Sequence, residues 1–143
     1  MAKRNKGADK KTVAIIGLGR FGEAVALRLV ELGHEVVAVD EDPAIVQKLA
    51  DDLPHVVRAD TTEAEALLAL GINEVDYAVV AIGADLEASM LSVLALTEIG
   101  VKDIWAKASS KRHGVILERL GVTRVVYPEA DMGIALAHQL CAA

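Results

Sequence analysis

The chain has 143 residues, 53% of them hydrophobic and only 3% aromatic, with a formal net charge of −6. Those figures fit one domain whose core is packed by Ala, Val, Leu and Ile, and they exclude a disordered chain. The acidic balance argues against an electrostatic grip on nucleic acid, which needs clustered Lys and Arg, and no apolar run approaches the ~20 residues needed to span a bilayer.

Basic residues cluster only at the start, at Lys3, Arg4, Lys6, Lys10 and Lys11. Lacking an apolar run of its own, the stretch 1–11 is predicted to be a disordered, solvated tail rather than a signal peptide or a binding arm. The first strand follows as Val13-Ala14-Ile15-Ile16 and runs into Gly17-Leu18-Gly19-Arg20-Phe21-Gly22, a G-x-G-x-x-G sequence that opens a helix from about Arg20 to Leu32. In a dinucleotide-binding turn Gly17 permits the sharp turn, Gly19 lets phosphates approach the backbone, and Gly22 lets the helix lie close on the sheet. The helix start then offers N–H groups and a positive dipole end to an anion. The same glycines can also serve an ordinary structural turn. The second strand, Glu35 to Val39, ends in Asp40, about 20 residues beyond Gly17, where a ribose-binding carboxylate is expected.

Asp42-Pro43 is predicted to cap and start a helix running to about Leu53. Strand three covers 55–59 and ends in Asp60-Thr61, and Thr62-Glu63-Ala64-Glu65 has the form of a capping box for the next helix. Strand four, Asp76 to Ile82, is almost wholly apolar, and a helix is predicted from about Ala84 to Ile99. Strand five, Ile104 to Ala106, leads to Lys107, and Ser109 or Ser110 caps a helix ending near Leu120. Strand six, Arg124 to Val126, precedes a last helix that starts at Pro128 and carries Met132, Ile134, Leu136 and Leu140, more apolar residues than one buried face needs. Six β-α alternations with short links specify an α/β, Rossmann-type doubly wound parallel sheet of order 3-2-1-4-5-6 over residues 12–143.

Such a sheet binds ligands beyond the carboxyl ends of its strands. On that edge the sequence places Arg20 and the glycine turn, Asp40 with Glu41 beside it, Asp60 and Thr61, Ala81-Ile82-Gly83, Lys107 and Glu129. Asp40 can accept from both ribose hydroxyls and repels a 2′-phosphate, which favours NAD or an adenine nucleotide over NADP. Asp60 and Thr61 also read as turn and cap residues, Lys107 as a solvated strand end, and Glu129 as a carboxylate favoured by the helix dipole alone. A guanidinium at Arg20, inside the phosphate turn, can bond phosphate oxygens in its own site or a neighbour's. The histidines lack H-x-x-x-H spacing, and the single Cys141 has no internal disulfide partner, so a reducing, cytoplasmic setting is expected.

The glycine motif with Arg20-Phe21, then Gly33-His34-Glu35-Val36, Ala59-Asp60-Thr61-Thr62, Ala81-Ile82-Gly83, Trp105-Ala106-Lys107-Ala108 and Tyr127-Pro128-Glu129-x-Asp131-Met132-Gly133 occur in that order. Together they resemble the N-terminal nucleotide-binding domain, the RCK or KTN module, of the regulatory subunits of bacterial Trk/Ktr potassium-uptake systems. The resemblance implies a cytoplasmic, non-enzymatic gating subunit that binds ATP or ADP, or NAD or NADH. It implies Phe21 beside Arg20 in the site, and a divalent cation or Na bridging the phosphates near Glu129. Its partners are implied to be a membrane-embedded potassium channel or transporter subunit and further copies of itself, as a homo-dimer assembling to a homo-octamer ring. That partner would hold it at the inner face of the cell membrane, with no direct membrane insertion. The second, C-terminal lobe usual in the family is expected to be absent here. An NAD-dependent oxidoreductase domain is the alternative, and a redox-sensing repressor a third reading; each needs a further domain.

Overall fold

The computed structural model describes residues 9–142, so most of the tail expected at 1–11 lies outside the described residues. Within that tail, Lys11 is already tied to the body: its N–H donates to His34 Nδ1 at 3.0 Å and its carbonyl accepts from Glu35 N–H at 2.9 Å. Six strands follow: β1 (Thr12–Ile16), β2 (Glu35–Asp40), β3 (Val56–Arg58), β4 (Tyr77–Val80), β5 (Ile104–Lys107) and β6 (Arg124–Val126). All pair in parallel, in the order 3-2-1-4-5-6. Between and after them lie α1 (Arg20–Glu31), α2 (Pro43–Leu49), α3 (Ala64–Ala69), α4 (Leu86–Glu98), α5 (Lys111–Arg119) and α6 (Pro128–Cys141).

The central strands are buried on both faces, which is why they read as continuous apolar runs. Successive side chains of β1 alternate between two cores. Val13 and Ile15 join Val36, Ala38, Leu49 and Leu53 under α1 and α2, while Ala14 and Ile16 join Val80, Leu96, Ile104 and Leu117 under α3, α4 and α5. Each fully buried Ile or Leu contributes roughly 1.5–3 kcal/mol.

Three local expectations are corrected. The second helix stops at Leu49, and a turn carries the chain to Leu53, which is still buried and returns its N–H to Leu49 O at 3.0 Å. The capping box at Thr62 does not form: the N-cap of α3 is Glu63, which makes no side-chain cap bond, because the Thr62 hydroxyl is spent on Asp60 at 2.6 Å. The fourth helix begins at Leu86, since Asp85 caps it by accepting from Ala88 N–H at 3.0 Å.

The last helix departs furthest from a packed layer. Tyr127 N–H donates to Asp131 Oδ2 at 3.2 Å across its first turn, yet no residue of α6 is buried. Met132, Ile134, Leu136 and Leu140 all face outward. No described helix is long and apolar enough to cross a membrane.

Candidate functional site

Register builds the site. Ile16 of β1 pairs with Val39 on one side and Val80 on the other, so the residues just past them, Gly17, Asp40 and Ala81, arrive together at the carboxyl edge. Gly17 turns there with φ +98°, a conformation that favours glycine, and its N–H donates to Val39 O at 2.8 Å. An added Cβ at Gly17 would crowd the Ala81 carbonyl carbon at 3.2 Å. Gly22 sits one helical turn on, where an added methyl would run into the Gly17 carbonyl oxygen. Its role is close packing of α1 on the turn, as expected.

Asp40 holds this turn in place. Its Oδ2 accepts from Leu18 N–H at 2.8 Å and its Oδ1 from Asp42 N–H at 2.9 Å. Each oxygen keeps a second lone pair, so a hydroxyl can still be accepted at the crevice side. Gly19 is the N-cap of α1 and supplies no side-chain partner, leaving first-turn N–H groups free at the mouth of the crevice. An added Cβ at Gly19 would meet nothing within 4 Å, projecting into open space.

The crevice is a cavity of about 360 Å3, at the small end for ligand sites. Gly17, Gly19, Asp40, Glu41, Asp60, Thr61, Ala81, Ile82, Gly83 and Lys107, all expected on this edge, line it. Ile45, Thr62 and Asp85, which are not among the residues expected there, line it as well. Asp85 could have been found, because an acid two residues past Gly83 is placed to cap the next helix at the same edge.

Asp60 and Thr61 both line the crevice, and Asp60 also serves the turn that follows β3. The Thr62 hydroxyl and then its backbone N–H, both donating to Asp60 Oδ1, hold the carboxyl below its ordinary value. Thr61 is buried and its hydroxyl bonds Ser92 of α4 at 2.7 Å. One turn earlier on α4, Ser89 bonds Nε2 of His113 at 3.0 Å, while His113 Nδ1 accepts from Ser109 N–H at 3.0 Å. A backbone N–H only donates, so Nδ1 is bare and the proton sits on Nε2. His113 is 2% exposed, and burial pushes its pKa down. Nothing in the spacing of the Ser and His residues along the chain points to this network.

Arg20, Phe21 and Glu129 are not brought into the crevice. They line a second, broader concavity of about 760 Å3 with Pro128, Met132 and Lys107. Arg20 and Glu129 are both exposed there. Lys107 belongs to both linings, and its ammonium lies 5.9 Å from the Phe21 ring centroid. Among the described residues that line the crevice, Lys107 is the only cation, facing Asp40, Glu41, Asp60 and Asp85.

Residues 13–128 match the TrkA-N domain family. The Ktr system potassium uptake protein A of Bacillus subtilis (strain 168) is 44% identical over 130 residues, covering 91% of this chain and 59% of that protein. The chain therefore spans well under two thirds of that relative's length. Among solved structures, the NAD(P)-binding domain of an exopolyphosphatase-related protein from Archaeoglobus fulgidus superposes with a TM-score of 0.82 at 22% identity, covering 94% of this chain and 100% of that one. The Kef CTD of Shewanella denitrificans in its AMP-bound form is 28% identical with a TM-score of 0.72, covering 91% of this chain and 82% of that chain.

Proposed function

The chain belongs to the TrkA-N domain family, and on that premise we propose that it is the nucleotide-binding regulatory module of a potassium-uptake system, with residues 12–143 as its nucleotide domain. The observation that carries the reading is the Gly17 turn, braced by both Asp40 oxygens and opening past Gly19 onto a crevice with one cation. The cradle fits a nucleotide: Asp40 keeps acceptor capacity for a ribose hydroxyl, and the α1 N-terminus with Lys107 suits phosphates. Ligands of that form are ATP and ADP or NAD and NADH. The AMP carried by the Shewanella relative and the potassium-uptake name of the Bacillus relative support the ligand class and the setting.

The module acts by binding rather than by catalysis. A ligand shifts a conformational equilibrium only through different affinities for the two states. Arg20 stands outside the crevice in a concavity open to a second copy, so a terminal phosphate held between two copies would be read by it. Homo-dimers assembling into a homo-octamer ring would deliver that difference to a membrane-embedded potassium channel or transporter subunit, at the inner face of the membrane. A cation at Glu129 would need the phosphates as ligands, because among the described residues no three His, Cys, Asp or Glu side chains converge. Calorimetric titration with ATP, ADP, NAD and NADH tests the reading, with saturable binding expected. A chain that binds none of them refutes it, and steady NADH formation from alcohols, hydroxy acids or amino acids would favour an oxidoreductase.

A further inference from the structure

Helix α4 has one side in the crevice and another in a buried polar cluster. Asp85 and Ala88 line the crevice. Ser89 and Ser92, both fully buried, bond Nε2 of His113 at 3.0 Å and the hydroxyl of the crevice residue Thr61 at 2.7 Å. His113 reaches a second segment too. Its Nδ1 accepts from the N–H of Ser109, two residues beyond Lys107 of the crevice, at 3.0 Å, and the Ser109 hydroxyl lies 3.3 Å away. The backbone N–H of His113 donates at 3.1 Å to the hydroxyl of Ser110, the N-cap of α5. The neutral ring thus ties α4 to the turn after β5, and both tied segments carry crevice residues.

We infer that His113 is a proton switch, whose neutral ring holds two walls of the crevice in their binding form and whose protonation releases them. The switch rests on the nucleotide reading above and adds a regulation to the same site. A proton taken from solvent at Nδ1 sets one N–H against another, that of Ser109, and two donors cannot share the bond. The ring has to leave the amide, since the acceptor remaining on that side is the Ser109 hydroxyl, and its tie to Ser89 moves with it. No charge compensates the cation. Among the described residues the only ion pair is Arg28–Glu31, so no carboxylate lies within 4 Å of the ring nitrogens. Glu87 and Glu98 of α4, Arg124 of β6, and Lys111, Arg112, Glu118 and Arg119 of α5 itself are all exposed. Asp85 is bonded to the Ala88 N–H, Lys107 lies over Gly83, and Tyr127 turns its phenol to Gly114. A buried imidazolium without a partner is costly, and burial accordingly pushes the pKa of His113 down. Protonation and nucleotide binding then oppose each other: acid weakens the nucleotide, and bound nucleotide resists the proton by the same factor.

The experiment is calorimetric titration of the whole chain with ADP at about pH 7.5 and about pH 5, for wild type and for His113→Gln, which keeps an uncharged hydrogen-bonding side chain. Each protein is compared with its own affinity at the higher pH. Titration of the ADP phosphates weakens both alike, so the variant carries that common loss. Wild type should lose about fivefold more affinity than the variant. A second measurement needs no variant. The Cε1 proton of His113 in wild type, followed by NMR over the same pH range, should titrate at lower pH with saturating ADP than without it. Phosphate charge acting directly on the ring would move that midpoint to higher pH. An unmoved or raised midpoint, or equal losses in wild type and His113→Gln, overturns the switch and leaves the nucleotide site standing. A wild type that binds no ADP even at the higher pH removes the nucleotide reading itself, and the switch with it.

Discussion

Replacing Asp40 by Ala removes two hydrogen bonds and a ligand acceptor in one step. Leu18 N–H lies in the half-buried glycine turn, 2.8 Å from Oδ2, so water replaces its partner poorly. That charge-assisted bond is worth about 1.5–3 kcal/mol. Asp42 N–H is exposed, at 2.9 Å from Oδ1, and water takes over there, leaving a contribution of about 0.5–1 kcal/mol. The sum, about 2–4 kcal/mol, lowers Tm by roughly 8–15 °C in a domain of this size. Every ribose-containing ligand should also lose about 1.5–3 kcal/mol, roughly ten- to a hundredfold in Kd. Asp40→Asn should fall between, since its single carbonyl oxygen serves one N–H and its NH2 group accepts from neither. Thermal denaturation followed by circular dichroism gives the first quantity, and titration with ADP below the melting range of both variants gives the second. An unchanged Tm refutes the bracing of the turn by Asp40. An unchanged affinity in the folded Asp40→Ala protein removes the residue from the site.

Three further outcomes are expected. Gly22→Ala should destabilise by more than about 3 kcal/mol, because its methyl meets backbone at Gly17 rather than a side chain that can yield; a variant that melts with wild type contradicts this. Burial holds the pKa of His113 down in the fold. Its stabilisation is therefore full above about pH 6.5, the ordinary histidine value, and is lost as pH falls through that value toward the lower folded one. Tm measured from pH 7.5 to 5 should drop in wild type and drop less in His113→Gln, and equal slopes would discount the group. Arg20→Ala should shrink the preference for ATP over ADP about five- to a hundredfold while ADP changes little; paired titrations showing equal losses would reduce Arg20 to a surface residue.

The glycine turn and Asp40 were legible in the sequence because their chemistry is local. A positive-φ position, a close helix approach and an acid at a strand end all follow from spacing along one β-α-β unit. The sheet order followed from alternation in the same way. Thr62 departs from its capping-box pattern because Asp60, which claims its hydroxyl, offers a stronger acceptor than the helix start does. Helix α2 is shorter than its apolar pattern predicts because Leu53 is buried either way, and a turn serves that burial as well as a helix. The placing of Arg20 beside Met132 and Pro128, and the lean of Lys107 over Gly83, depend on how β5 and β6 sit against α1. No periodicity encodes that. The setting of His113 is illegible for a related reason, since its two serine partners come from α4 and the β5–α5 turn.

Helix α6 has 14 residues, none of them buried. An isolated helix of about that length is marginal in water, held by little more than its own backbone ladder. Its amides should then exchange with solvent almost as a free peptide's do whenever the helix stands alone, while those of the buried residues 13–16 of β1 wait for global unfolding. The two ends of the same chain therefore keep different clocks. Slow exchange along α6, at a protein concentration where the β1 amides are unchanged, reports company on that helix and nothing about the strength of the fold.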